Sequence, residues 1–149
     1  MIKPNQIFKT SLLIDKSYKK QSFLTSKNLF YSFKYAFKGI NYSFTNERNF
    51  RIHIFLGFVS TILGIVLKIS STELAILILT IAAVLILELI NTSIEAVVDL
   101  TIGRRFHPLA KIAKDCSAAA VLIASISALL IAILLLLPKI INHLVAHQF

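Results

Sequence analysis

The chain has 149 residues, 56% of them hydrophobic, with a mean hydropathy of +0.78 and a formal net charge of +9. That is more apolar than soluble domains usually are, and the apolar residues come in long runs, so a polytopic membrane protein is preferred to a soluble helical bundle. A single cysteine, Cys116, excludes an intramolecular disulfide and a cysteine-based metal cluster, and reads as a small apolar filler at a helix start.

Residues 1–26, MIKPNQIFKTSLLIDKSYKKQSFLTS, carry lysine throughout and hold no apolar core of the length a secretory signal needs. They are expected to form a poorly ordered basic cytoplasmic tail. In the following FYSFKYAFKGINYSF, residues Phe30, Phe33, Phe37, Ile40 and Phe44 fall on one helical face within an arc of about 80°. Lys27, Lys34 and Lys38 flank that stripe. An aromatic face with basic edges predicts a helix lying in the membrane interface.

Three apolar segments follow, at about 54–69, 74–98 and 116–137, the last ending at Pro138. The second and third meet the roughly 20 residues needed to cross the hydrocarbon; the first is short and could lengthen from the preceding helix. Ten of the sixteen Lys/Arg precede His53, and four more (Arg104, Arg105, Lys111, Lys114) lie between the last two spans. Lys68 and Lys139 remain. By the positive-inside rule, the N-terminus and the 100–115 loop are cytoplasmic and the C-terminal HQF lies outside. The positive charge then faces anionic headgroups and needs no nucleic acid. On the third span, Ala120, Ala124, Ala128 and Ala132 recur every four residues near Ser117 and Ser125. Such a ridge lets helices approach closely, within the chain or between subunits.

The second span ends in LELINTSIEAVVDLT. Glu88, Asn91, Glu95 and Asp99 share one face of a helix, within an arc of about 80°. An acidic residue at mid-membrane costs roughly 2.5–3.5 kcal/mol on insertion scales, so such groups point to a bundle interior and a task. Counting from Glu73, a rise of about 1.5 Å per residue puts Glu88 roughly 22 Å and Glu95 roughly 33 Å along the helix. Glu95 is then near the cytoplasmic boundary and Glu88 at lipid-headgroup reach. NERNFR adds Glu47, Arg48 and Arg51 at that level, and HPLAKIAKD adds Lys111, Lys114 and Asp115.

Acidic oxygens with basic side chains at one depth suit a Mg²⁺–polyphosphate site. An ion or proton path and a structural polar seam use the same residues and stay open at this point. Asp99 is expected to pair with Arg104 or Arg105, and His53 and His107 to be interfacial without chemistry. The four glycines form neither GxxxxGK[ST] nor GxGxxG, so spacing alone shows no nucleotide cradle.

The strings SFKYAFKGINYSFTNERNFRIH, ELINTSIEAVVD and HPLAKIAKDCSAAAVLI strongly resemble the small prokaryotic diacylglycerol kinase/undecaprenol kinase family, over about residues 28–140. The resemblance implies an all-α, homotrimeric membrane enzyme that moves the γ-phosphate of Mg-ATP onto a lipid hydroxyl at active sites shared between subunits. The kinase domain would span 27–140, with 141–149 a short C-terminal tail. Carried over by motif, Glu88 looks like the catalytic base at the lipid hydroxyl, and Asn91 would position the reacting groups. Glu47 and Glu95 look like Mg²⁺ ligands at the nucleotide, with Tyr35, Lys114 and Asp115 as further nucleotide contacts. In the proteobacterial branch an arginine stands near Asn28, a Gln-Glu pair replaces Ile52-His53, and the loop before AKD is one residue shorter. ERNFRIH is similar to the branch that phosphorylates undecaprenol, so undecaprenol is the first expected substrate and diacylglycerol the second.

Overall fold

The computed structural model describes residues 29–103 and 105–146, and their regular structure is all helical. The expected tail of residues 1–26, with Lys27, Asn28 and Arg104, lies outside the described residues. The four helices are α1 (Leu29–Asn46), α2 (Arg48–Val66), α3 (Ser71–Ile102) and α4 (Pro108–Ala146). The chain divides into two compact units, Met1–Asn41 and Tyr42–Phe149.

In the first unit, α1 begins as an amphipathic helix whose Phe30, Phe33 and Phe37 are exposed. Lys38 Nζ stands 5.4 Å from the centre of the Tyr35 ring, a cation–π distance that fixes one basic edge beside the aromatic residues.

In the second unit, α2, α3 and α4 are each long and apolar enough to cross a membrane. Leu, Ile, Val and Phe dominate the exposed positions, as lipid in place of water requires. At about 1.5 Å per residue, α3 is roughly 48 Å long and α4 roughly 58 Å. Both exceed a hydrocarbon core of about 30 Å, so their ends stand in the headgroup layer or beyond. α3 is the central helix, packed along α4 and against α2.

The helices do not coincide with the apolar segments that hydropathy marks. α2 runs 48–66 against an apolar segment at 54–69, because its polar start, RNFRIH, is helical too. α4 starts at Pro108, not near Cys116, and passes Pro138 to Ala146, taking up most of the segment 141–149. Proline removes one backbone donor, a loss that membrane helices tolerate. Cys116 therefore sits well inside α4, and it is exposed, which corrects the reading of it as a filler at a helix start.

The turn between α2 and α3 is built from local rules. Lys68 N–H donates to Ile65 O (3.1 Å) and Ile69 N–H to Gly64 O (3.1 Å), a Schellman closure. Lys68 has φ 52, the left-handed position that glycine usually fills. Ile69 folds back over Gly64, where an added Cβ would stand 2.8 Å from Ile69 Cδ1. The chain then starts α3 with a reciprocal capping box: Ser70 N–H donates to Glu73 Oε2 (2.7 Å), and Glu73 N–H to Ser70 Oγ (3.2 Å). Glu73 also meets Lys139 at 3.8 Å, tying α3 to α4 at this end of the bundle.

Gly57 sets the approach of α2 to α3. It is buried, and a Cβ there would stand 2.6 Å from Ile81 Cγ2. Gly57→Ala is therefore expected to cost about 1–3 kcal/mol through overpacking. Ile81→Ala should recover part of that loss in the double variant, a coupling read from unfolding midpoints of the detergent-solubilised protein.

Candidate active site

α3 carries the polar face, and helical periodicity alone brings its members together. Asn91 Nδ2 donates to Glu95 Oε1 at 3.0 Å, one turn apart. Thr92 Oγ1 turns back to Glu88 O at 3.0 Å, which satisfies its hydroxyl inside the bundle. α4 closes the face from the other side. Ser117 Oγ lies 2.6 Å from Asn91 Oδ1 and 2.9 Å from Lys114 O, so its single proton can serve one of them at a time. When that proton turns to Asn91, both ends of its amide are engaged.

Glu88 is 3% exposed, the deepest carboxylate among the described residues. Its Oε1 is 3.3 Å from His53 Nε2 on α2, yet the angle is not that of a hydrogen bond, and Oε1 has no hydrogen-bond partner among the described residues. Burying a carboxylate this incompletely satisfied costs several kcal/mol, which a purely structural seam would have no reason to bear. Glu88, Asn91 and His53 line a cavity of about 320 Å³. A second cavity of about 320 Å³, lined by Gly57, Leu77, Val84, Ala128 and Leu129 among others, shares His53 and Ser125 with the first. A polar compartment and an apolar one meet at that histidine.

Glu47 lies between α1 and α2 in the N-cap position of α2, but its side chain makes no capping bond. Arg51 Nη1 instead caps the end of α1, donating to Phe44 O (3.0 Å) and Thr45 O (2.9 Å), and neither Arg48 nor Arg51 pairs with Glu47. Glu47 and Glu95 are both close enough for their charges to act on Glu88. Three carboxylates with so little internal neutralisation favour a cation. Among the described residues no group of three or more His, Cys, Asp or Glu is disposed to hold a metal by itself. Mg²⁺ is commonly held by one or two carboxylates completed by phosphates and water, a donor type that Glu47 and Glu95 would supply.

Lys114 Nζ binds Asp99 Oδ1 at 2.6 Å, a partner on the neighbouring helix in place of the expected Arg105, while Arg104 lies outside the described residues. Lys114 and Asp115 also line a cavity of about 240 Å³ with Arg105, His107 and Lys111, a largely basic setting that suits phosphate. Tyr35 belongs to the first unit, where it is exposed.

The structure therefore bonds Asn91 to Glu95 and Ser117 and sets the charges of Glu47 and Glu95 within reach of Glu88, while Lys114 pairs with Asp99. The sequence reading assigns His53 no chemistry, and the structure sets its Nε2 3.3 Å from Glu88 Oε1. A histidine counted as intramembrane would have stood out. Ser117 and Ser125 were read as packing residues, whereas each also bonds into the polar centre.

Residues 34–136 match the family model described as prokaryotic diacylglycerol kinase. The chain belongs to the prokaryotic diacylglycerol kinase family. A diacylglycerol kinase of Synechocystis is 45% identical over 130 residues, covering 87% of this chain and 74% of that protein. The undecaprenol kinase of Bacillus subtilis is 41% identical over 110 residues, covering 74% of this chain and 89% of its own. A diacylglycerol kinase of Escherichia coli K12 is 36% identical over 96 residues, covering 64% and 78%. The chain is a membrane lipid kinase.

Proposed function

We propose that this chain transfers the γ-phosphate of ATP to a lipid hydroxyl at Glu88, with undecaprenol as the first substrate. The observation that carries the site is the buried Glu88 at the wall of a cavity that meets an apolar compartment at His53 and Ser125. The hydroxyl enters at Glu88, which takes its proton as general base. The lipid oxygen then bonds to the γ-phosphorus while the bond to the ADP oxygen breaks, and ADP leaves with that electron pair. Mg²⁺ held by Glu47 and Glu95 would neutralise charge on the ATP phosphates. Asn91, clamped by Glu95 and Ser117, keeps the reacting groups in register. Lys114 exchanges Asp99 for phosphate oxygens, and Asp115 and Tyr35 contact the nucleotide.

Diacylglycerol is the second reading, supported by the Synechocystis relative of that name, whose identity exceeds that of the undecaprenol kinase. The two separate in one assay: purified protein in mixed micelles with Mg²⁺ and labelled ATP, offered each lipid alone. Higher kcat/KM for undecaprenol is expected. A clear preference for diacylglycerol would reverse the order, and no label in either lipid would overturn the substrate class.

We place the N-terminus, Glu47, Glu95 and the α3–α4 loop on the cytoplasmic side and the Glu73–Lys139 end outside, following the Lys/Arg asymmetry. The exposed aromatic stripe of α1 supports its lying in the interface. A homotrimer with shared sites completes this reading and rests on the family resemblance.

A further inference from the structure

His53 touches the general base, and its hydrogen-bond surroundings define its protonation. Ser125 Oγ donates its one proton to Val121 O at 2.8 Å. With that proton so engaged, the serine presents an acceptor to His53 Nε2, 3.5 Å away, an arrangement that suits the tautomer with hydrogen on Nε2. The same nitrogen stands 3.3 Å from Glu88 Oε1, the buried oxygen that lacks a hydrogen bond. A modest ring rotation brings Nε2–H onto Oε1 while Ser125 limits how far the ring can swing.

We propose that His53 is a positioning residue for the phosphoryl-transfer reaction: its Nε2–H, steadied by Ser125, holds Glu88 Oε1 so that Oε2 faces the lipid hydroxyl. This rests on Glu88 acting as the base. The proton of the lipid hydroxyl goes to Oε2; His53 keeps its own proton throughout and accepts none. Its location where the polar and apolar compartments meet places the oriented carboxylate at the point where a lipid's head and tail divide.

The test uses the full chain reconstituted with Mg-ATP and the better of the two lipid alcohols, comparing wild type, His53→Leu, His53→Gln, Glu88→Gln and the His53→Leu/Glu88→Gln double variant. His53→Leu should lower kcat by about 10- to 100-fold, the range seen when a group that orients a functional side chain is lost. KM for lipid and for ATP should stay within about 3-fold of wild type, since neither is bound by the imidazole. Glutamine carries a donor close to the Nε2 position, so His53→Gln should recover most of the lost kcat. The double variant should be no slower than Glu88→Gln alone, because His53 acts through Glu88.

A wild-type kcat in His53→Leu would overturn the proposal. So would a multiplicative loss in the double variant, or a His53→Gln as impaired as His53→Leu when both elute as folded protein with wild-type unfolding midpoints. Failure of the underlying reading looks different: Glu88→Gln alone would keep its activity, whatever the His53 variants do.

Discussion

Glu88→Gln is expected to lower lipid phosphorylation by about 10²- to 10⁴-fold, the contribution typical of a positioned general base. Glutamine keeps the size and shape of the side chain and cannot take a proton from a hydroxyl. The buried carboxylate is without a full set of partners, so removing its charge should leave the unfolding midpoint unchanged or raised. That opposition of effects, activity down and stability not, separates a catalytic carboxylate from a structural one. It is read by pairing label transfer into lipid with thermal unfolding of the same preparation. Retained transfer in a folded Glu88→Gln protein would remove Glu88 from the mechanism.

Glu95→Gln and Glu47→Gln should each lower activity and raise the Mg²⁺ concentration for half-maximal rate by at least about 10-fold. The logic is sharpest at Glu95. Its Oε1 accepts from Asn91 Nδ2, and a glutamine oxygen in the same place still can. The substitution therefore removes charge and preserves the clamp on Asn91. At Glu47 there is no capping bond to lose, so helix α2 should start where it does now. A Mg²⁺ titration at saturating ATP and lipid makes the measurement. An unchanged Mg²⁺ midpoint in both variants would take the metal away from these carboxylates.

The periodic part of this protein was legible in its residues. Long apolar runs define three spans because lipid leaves the chain few ways to satisfy its backbone, and the 100° repeat puts Glu88, Asn91, Glu95 and Asp99 on one face. The Asn91–Glu95 bond follows directly from that repeat. What hydropathy could not reach were the helix ends. It reports the solvent around a segment, whereas the backbone ladder of α4 continues through LAKIAKD at one end and past Pro138 at the other. Pairings between helices were also hidden. Asp99 takes Lys114, fifteen residues away, and His53 reaches Glu88 across the α2–α3 contact. Such partners depend on packing, here on how closely Gly57 lets α2 approach Ile81, and no local pattern records it.

The interior of a single chain has a further consequence. Among the described residues its buried apolar side chains are Phe50, Leu77, Val84, Val121 and Leu136, and its buried polar ones are Ser43, Glu88, Thr92 and Ser117. In most enzymes a reactive cleft is carved into a scaffold that would stand without it. Here three of these nine side chains, Glu88, Thr92 and Ser117, lie at the proposed reaction centre, so tolerance to change should be greatest on the lipid-facing surface and least around them, where packing and chemistry constrain the same residues.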